Sequence, residues 1–405
     1  MSNVRTALVI GGGIAGPVAA TALHKAGIEA SVYEAYPRPS EGIGGALALE
    51  PNGLAALGVI GVDDAVLSVA TPITRSVLTL GDKKLGEIPR LPGLMPRHVV
   101  ERADLHRVLT ERARSAGVRF EYNKRVLDVD EAGTGITARF ADGTTATADI
   151  LIGADGVRST VRTLIDPAAP GAAYTGLLGC GGTVAAGLDL EPGTMTFAFG
   201  RRAYYLFWPT LDGRTAWGAN LPSTNPLSLT EARAVQPERW LDTLRATYAD
   251  DVPGAQLARC TTAETLQVVG ALHIMPSVPR WHRGRMVLIG DAVHAPSNST
   301  GQGASLAIES AVQLARCLRD LADVGSAFRA YEALRRRRVE GIAKRGAKIN
   351  HSKAPGRVAR MFMPLALPLM FRIMDLEKTM GTEQRYVIDW DSPVESADHL
   401  RASAA

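Results

Sequence analysis

Cysteine is scarce in this chain: Cys180, Cys260 and Cys317 are the three among 405 residues, far apart and in no paired spacing. That speaks against a disulfide framework or a cysteine-held zinc and fits a reducing, cytoplasmic setting. No stretch reaches the roughly eighteen uninterrupted apolar residues of a membrane-spanning helix. The opening Met1–Arg5 lacks the charged, apolar and cleavage regions of a signal peptide and runs straight into a strand-like Ala7–Ile10. Neither helix-turn-helix nor zinc-finger spacing occurs, and the net charge of +4 comes from dispersed residues of both signs. A nucleic-acid or membrane partner is therefore not expected.

What is present is the composition of an ordinary globular protein, 46% hydrophobic and 21% charged, long enough for about two or three domains. The first strong signal is at the N-terminus. Thr6–Ile10 is a short apolar run of the kind that makes a buried parallel strand. It leads into Gly11-Gly12-Gly13-Ile14-Ala15-Gly16, a match to G-x-G-x-x-G. Gly11 permits the tight turn, Gly13 lets a pyrophosphate approach the backbone, and Gly16 lets helix and strand pack closely. The spacing predicts a helix over about Ile14–Ala26, stopped by Gly27, whose N-terminal amides suit a diphosphate. A second strand, Ala30–Tyr33, ends on Glu34, where a carboxylate would hold ribose hydroxyls. A bare strand–turn–helix is the competing reading, and the complete unit favours a dinucleotide over it. NAD and FAD are not separated by this unit.

Two later motifs extend the pattern. Asp149–Ile152 reads as a buried strand followed by Gly153-Ala154-Asp155-Gly156, and Met286–Ile289 leads into Gly290-Asp291. Gly301-Gln302-Gly303 then opens a helix with an apolar face at Leu306, Ala307, Ala311, Leu314 and Leu318. With these motifs in this order, from about Ala7 to Ile349, the chain resembles the class A (single-component) FAD-dependent aromatic monooxygenases of the para-hydroxybenzoate hydroxylase fold. It is similar in size to the tetracycline-inactivating flavin monooxygenases.

The resemblance implies an α/β fold: a Rossmann-like FAD-binding domain (1–70, 98–170 and 275–350), an inserted mixed or antiparallel β-sheet substrate domain (71–97 and 171–274), and a C-terminal helical segment (351–405). It implies FAD as cofactor, NADH or NADPH as transient co-substrate, and O2. The implied reaction hydroxylates or epoxidises an aromatic or polycyclic small molecule, such as a secondary metabolite or antibiotic-like compound, through a flavin C4a-hydroperoxide. Carried over to this chain, Gly11, Gly13, Ile14, Ala15, Gly16 and Glu34 would hold the ADP half of FAD. Arg102 would lie beside the diphosphate, and Asp291 at the ribityl or pyrophosphate region. Asp155 with Gly156 matches a motif tied to both FAD and the nicotinamide nucleotide. Gly301, Gln302 and Gly303 would set backbone amides against the pyrimidine edge, where a helix N-terminus offsets the charge of a reduced ring. Taken singly, Arg102 could be a surface ion pair and Asp155-Gly156 an ordinary turn.

In the middle of the chain, Thr194–Phe199, Ala203–Trp208 and Arg214–Leu221 read as strands, and Tyr204, Tyr205, Trp208 and Trp217 fall among them. Phe207 and Trp217 are taken as pocket-lining candidates, although a core role is the commoner fate of any one aromatic. No residue of this segment announces itself as a general base and no metal-ligand spacing occurs, so no catalytic side chain and no metal are assigned. Asn298 stands where the resembled family often has proline and is taken as substrate-binding. Further on, Arg335–Arg338 reads as an exposed helix face. Met361–Phe371 is expected to pack across domains, and the last residues, 401–405, to be disordered. A reductase of the same fold and a non-catalytic flavoprotein remain open as alternatives. A halogenase is disfavoured by the lack of W-x-W-x-I-P.

Overall fold

A computed structural model describes residues 3–37, 45–133, 135–352, 362–367, 369 and 375–395. In chain order the first strands are β1 (Thr6–Ile10), β2 (Glu29–Tyr33), β3 (Ala46–Leu49), β4 (Thr71–Ile73), β5 (Arg75–Leu80), β6 (Lys83–Ile88) and β7 (Arg97–Glu101). They are followed by β8 (Arg119–Glu121), β9 (Val126–Ala132), β10 (Gly135–Phe140), β11 (Thr145–Ala148) and β12 (Ile150–Gly153). The rest are β13 (Ala173–Val184), β14 (Thr194–Phe199), β15 (Tyr204–Pro209), β16 (Thr215–Pro222), β17 (Leu266–Ile274), β18 (His282–Arg283) and β19 (Met286–Leu288). The helices used below are α1 (Ala15–Lys25), α2 (Pro51–Val59), α3 (Asp63–Leu67), α4 (Arg102–Ser115), α5 (Thr160–Ile165), α6 (Leu229–Ala234), α7 (Pro237–Tyr248), α8 (Gly254–Cys260), α9 (Gly303–Asp320) and α10 (Val324–Ser352).

A six-stranded sheet runs β18-β19-β12-β1-β2-β8, with all strands but β18 parallel. Its central strands are buried on both faces, as continuous apolar runs require in a parallel sheet covered by helices. The ladder continues past the strand ends. Gly11 N–H donates to Tyr33 O, Ala154 N–H to Ile10 O and Ile289 N–H to Gly153 O. All three motifs therefore leave the sheet at one edge, beyond the carboxyl ends of the strands, where open α/β sheets bind ligands.

The second large sheet has seven strands in the order β17-β13-β16-β15-β14-β5-β6. It is antiparallel except at β14–β5. Both of its faces are apolar, but they bury against different things. Tyr205, Phe207, Trp217 and Ala219 face Trp240, Leu244 and Tyr248 of α7. The alternate residues Met195, Trp208 and Ala216 face Ile73 and Val99 of the small β3-β7-β4 sheet. The strand period of two sorts one sequence into these two layers. The three strands read in this segment are found, and β4 pairs with β7 rather than joining the large sheet.

Two expectations need correction. Within Arg335–Arg338 only Arg337 is exposed. Arg335 is fully buried with its Nη1 2.5 Å from Glu309, and Arg338 donates to Glu309 from Nε and Nη2 at 3.0 and 2.8 Å. Spacing of three residues on a helix puts both guanidiniums on one face, and here that face meets α9. None of the described part of 361–371 is buried: Phe362, Leu365 and Leu369 are exposed, and Met363 and Leu367 are half-buried. The C-terminal packing comes instead from Thr382–Val394, where Tyr386 lies under Arg338 at 4.1 Å and Trp390 under Arg319 at 4.7 Å. The remainder of 361–371 and residues 401–405 lie outside the described residues.

Candidate active site

At the first glycine turn, Gly11 has φ +107°, and a Cβ there would stand 2.4 Å from Ala154 O. A Cβ on Gly16 would stand 2.0 Å from Gly11 O. These two glycines are needed by the protein itself. Gly13 differs, because a Cβ on it would meet nothing within 4 Å. The N-terminus of α1 behind it, at Ile14 and Ala15, carries no side-chain cap. Uncapped amides beside open backbone suit a diphosphate. Glu34 folds over the turn, its Oε2 accepting from Gly12 N–H at 2.7 Å and its Oε1 from Tyr36 N–H at 2.9 Å. His106 of α4, which the sequence reading missed, braces the turn from below, its Nε2 2.7 Å from Gly12 O.

The second and third motifs meet this turn. Gly290, at φ +58°, is wedged between α1 and α9: a Cβ on it would lie 3.1 Å from Ala15 Cβ and 3.2 Å from Ala307 Cβ. Asp291 next to it is solvent-exposed, yet burial pushes its carboxyl above the usual range and Arg102 opposes the rise. Arg102 is the charge that acts on it. Asp155 has a different task. Its Oδ1 accepts from Ser159 Oγ at 2.5 Å, and its Oδ2 accepts from the Thr160 and Val161 amides at 2.7 and 3.1 Å. It caps α5. Gly156 beside it, at φ +76°, faces open space. Arg162 of α5, buried and also missed, donates from Nη1 to Ala292 O at 2.9 Å and so locks the Asp155 turn to the Asp291 turn.

At the far end, Gly301 takes φ +66° and α9 begins at Gly303 without a side-chain cap. A Cβ on Gly303 would meet nothing within 4 Å, so this helix N-terminus also presents free backbone. Gln302 points inward and exchanges hydrogen bonds with Asn52 of α2 at 2.9 and 3.3 Å. Asn52 also donates to Glu309 at 2.6 Å. Gly301 rests on the ion pair of buried Glu50 with half-buried Arg97, in which Arg97 Nε donates to Glu50 Oε1 at 2.6 Å. Nothing in the local sequence marks Glu50 or Arg97, because their meeting depends on how β7 lies against the α2 start.

Asn298 reaches the large sheet, its Nδ2 3.4 Å from Asn220 Oδ1. Asn220 is buried, and its own Nδ2 has no partner among the described residues. Tyr204 is its cross-strand neighbour. Burial holds the Tyr204 hydroxyl protonated, well above the ordinary phenol range, with Arg97 pulling the other way. Phe207 and Trp217 point to the opposite face. Trp217 Nε1 donates to Thr261 at 3.1 Å and its ring packs edge-on against Tyr248 at 5.7 Å. These two aromatics are core residues beneath α7 and α8, and the face that meets Asn298 belongs to Tyr204 and Asn220. Among the described residues no cluster of His, Cys, Asp or Glu could hold a metal. No helix among them is long and apolar enough to cross a membrane.

The glycine turns, the two uncapped helix starts and the exposed Asp291 under the influence of Arg102 thus fit a flavin dinucleotide. Comparison with known proteins agrees. A family described as FAD binding domain matches residues 4–345. The FAD-dependent urate hydroxylase of Klebsiella pneumoniae is 32% identical over 366 residues, covering 86% of this chain and 91% of that protein. The 3-amino-4-hydroxybenzoate 2-monooxygenase of Streptomyces cremeus is 29% identical, covering 84% of this chain and 86% of the other. The crystal structure of Klebsiella pneumoniae HpxO complexed with FAD and uric acid superposes with a TM-score of 0.80 at 26% identity, over 95% of this chain and 97% of that one. The chain belongs to the FAD-binding-domain family of flavin-dependent monooxygenases, and its cofactor is FAD.

Proposed function

We propose that this protein hydroxylates a small aromatic or polycyclic molecule, using O2 and electrons from NADH or NADPH, and that the substrate carries a hydrogen-bond acceptor. Bound FAD would supply the redox chemistry, accepting the hydride and activating O2 for transfer of one oxygen atom. The work of the chain is to bind, orient and keep water out. Gly11, Gly13, Gly16 and Glu34 would hold the adenosine half, Arg102 and Asp291 the middle, and Gly301 to Gly303 the ring. Residues 1–70, 98–170 and 275–350 would form the FAD-binding domain, and 71–97 with 171–274 the substrate domain.

The observation that carries the substrate reading is the unpartnered Asn220 Nδ2, buried beside Asn298 at the turn that leads into Gly301. A buried donor without a partner costs about 1–3 kcal/mol, which a substrate carbonyl or hydroxyl oxygen placed there would recover. Tyr204 lies on the same face, its hydroxyl held protonated by burial. The apolar layer around Trp208 and Met195 keeps that face dry. The named substrates of the two relatives, urate and 3-amino-4-hydroxybenzoate, are small rings bearing such acceptors.

The test is a screen of aromatic and polycyclic compounds for stimulated NADH or NADPH oxidation by the FAD-loaded protein under labelled oxygen gas. The expected result is a product heavier by one labelled oxygen atom. Stimulated oxidation that never labels a product would refute the hydroxylase and leave a reductase.

A further inference from the structure

Behind the turn that carries Asn298 lies a second concavity, about 190 Å³ in volume, between α10 and the segments 274–281 and 293–297. Its lining is mostly apolar, with Met275, Val278, Val293 and Ala343 prominent. Two buried ring nitrogens among its lining residues lack partners: Trp281 Nε1 and His294 Nδ1. Trp281 is 1% exposed and His294 4%. An indole N–H can only donate. His294 Nε2 lies 2.8 Å from Ser310 Oγ, which already accepts from Arg335 Nε at 3.2 Å. Trp281 Nε1 is thus a buried donor that calls for an acceptor, and the His294 ring lies beside it at 6.0 Å between centroids. Lys344 is exposed at the mouth, while Glu340, also in the lining, is held by Arg336 at 3.0 Å and Ser277 at 2.6 Å.

Volume sets the size of the guest. An engineered apolar cavity of about 150 Å³ accepts benzene, so this one takes one substituted ring. We propose that it is a second small-molecule site, for a single-ring aromatic carboxylate or carbonyl compound, separate from the flavin groove. The turn between the two sites is thin. Gly346 of α10 packs directly on Ser297 and Thr300, where a Cβ would stand 2.4 Å from Thr300 Cγ2, while Asn298 reaches the other way to Asn220. A guest in the cavity would brace this turn from behind.

The FAD-loaded protein labelled with ¹⁵N at tryptophan tests the proposal with benzoate as probe. Of the five indole signals, the one that Trp281→Phe removes reports on the cavity. Benzoate should move that signal saturably, with a Kd of about 1 mM for so few atoms, and leave the flavin absorbance unchanged. Ala343→Phe fills the cavity from α10 and should weaken binding about tenfold or more; Ala347→Leu does the same one turn along should the first variant misfold. Toluene, the ring without the acceptor, should bind about fivefold more weakly or worse. No movement of the Trp281 signal would mean that water alone meets the indole donor, and the proposal is wrong. Movement that survives both filling variants, or that comes with a flavin spectral change, would place benzoate elsewhere and overturn it equally. An equal response to toluene would remove the acceptor assignment. None of these readouts involves oxygen transfer, so this proposal and the hydroxylase reading fail separately.

Discussion

At the glycine turn, the proposed adenosine end of the cofactor groove, the protein builds with backbone and with the absence of side chains. Gly11, Gly13 and Gly16 lie within one turn, and the one carboxylate involved, Glu34, is fixed by the amides of Gly12 and Tyr36. At the Gly301 turn, the proposed ring end, it builds with side chains from remote segments. Gly301 rests on Glu50 and Arg97, Gln302 is held by Asn52, and Asn52 is held by Glu309, which is neutralised by Arg335 and Arg338. The first construction is local and shared by any dinucleotide fold. The second depends on long-range packing, and there this chain can differ from its relatives.

The largest effect should come from breaking the ring end at its root. Arg335→Met leaves Glu309 buried against Arg338 alone, and removing one partner of a buried pair costs about 3–5 kcal/mol. Denaturant unfolding of the apoprotein should show that loss. Adding Glu309→Met should restore part of it, since an apolar replacement of a whole pair is close to neutral. Unchanged stability in the single variant would mean that the charged trio does not hold α9 and α10 together.

Next in size is a paired test at the adenosine end. Gly16→Ala puts a methyl 2.0 Å from Gly11 O and should lower both apoprotein stability and FAD affinity. Gly13→Ala meets nothing within 4 Å, so the apoprotein should unfold at the wild-type midpoint while FAD binds about ten- to a hundredfold more weakly. Fluorescence titration with FAD reads the affinities. If Gly13→Ala destabilises the apoprotein as much as Gly16→Ala does, the glycines are not divided between fold and ligand as the geometry has them.

The glycine unit is legible in sequence because each glycine answers to its immediate neighbours, and the strand, turn and helix around it are contiguous. Asp155 is legible as a motif but not as a helix cap, since its partners at Ser159 to Val161 show only once α5 is placed. Phe207 and Trp217 fail for a sharper reason. Both faces of their sheet are apolar, so alternation says that Phe207 and Trp208 part company without saying which shares the face that meets Asn298. A shift of one residue exchanges the two answers. Arg335 to Arg338 fail for a related one: the carboxylate that draws two of them inward is on another helix. Asn220 carries no signal in sequence, for its meaning lies in the partner that its Nδ2 lacks.

That donor supplies the third test. Asn220→Leu should raise the substrate KM by about five- to a hundredfold, the worth of a buried hydrogen bond, and leave FAD affinity unchanged. Steady-state oxidation of NADH or NADPH against substrate concentration measures it. An equal loss of FAD binding would place Asn220 with the cofactor and merge two surfaces that the structure keeps apart.

The smallest effect is electrostatic and concerns how dry the ring end is. His294 lies among α9, α10 and Trp281, and burial first, then Arg335, push its imidazole down to about 3 from the ordinary 6.5. Between those values the unfolded chain binds a proton that the folded chain refuses. The stability conferred by the neutral ring is therefore complete above pH 6.5 and is lost as the pH falls toward 3, by at most about 1.4 kcal/mol per unit. His294→Gln stays neutral throughout, so the difference in unfolding free energy between wild type and variant should move against the wild type by about 1–2 kcal/mol from pH 7 to pH 5. The His294 imidazole signal in the folded protein should not titrate over that span. A ring that titrates near its ordinary value would mean that water reaches between α9 and α10. The ring end would then be no better sealed than the open glycine turn.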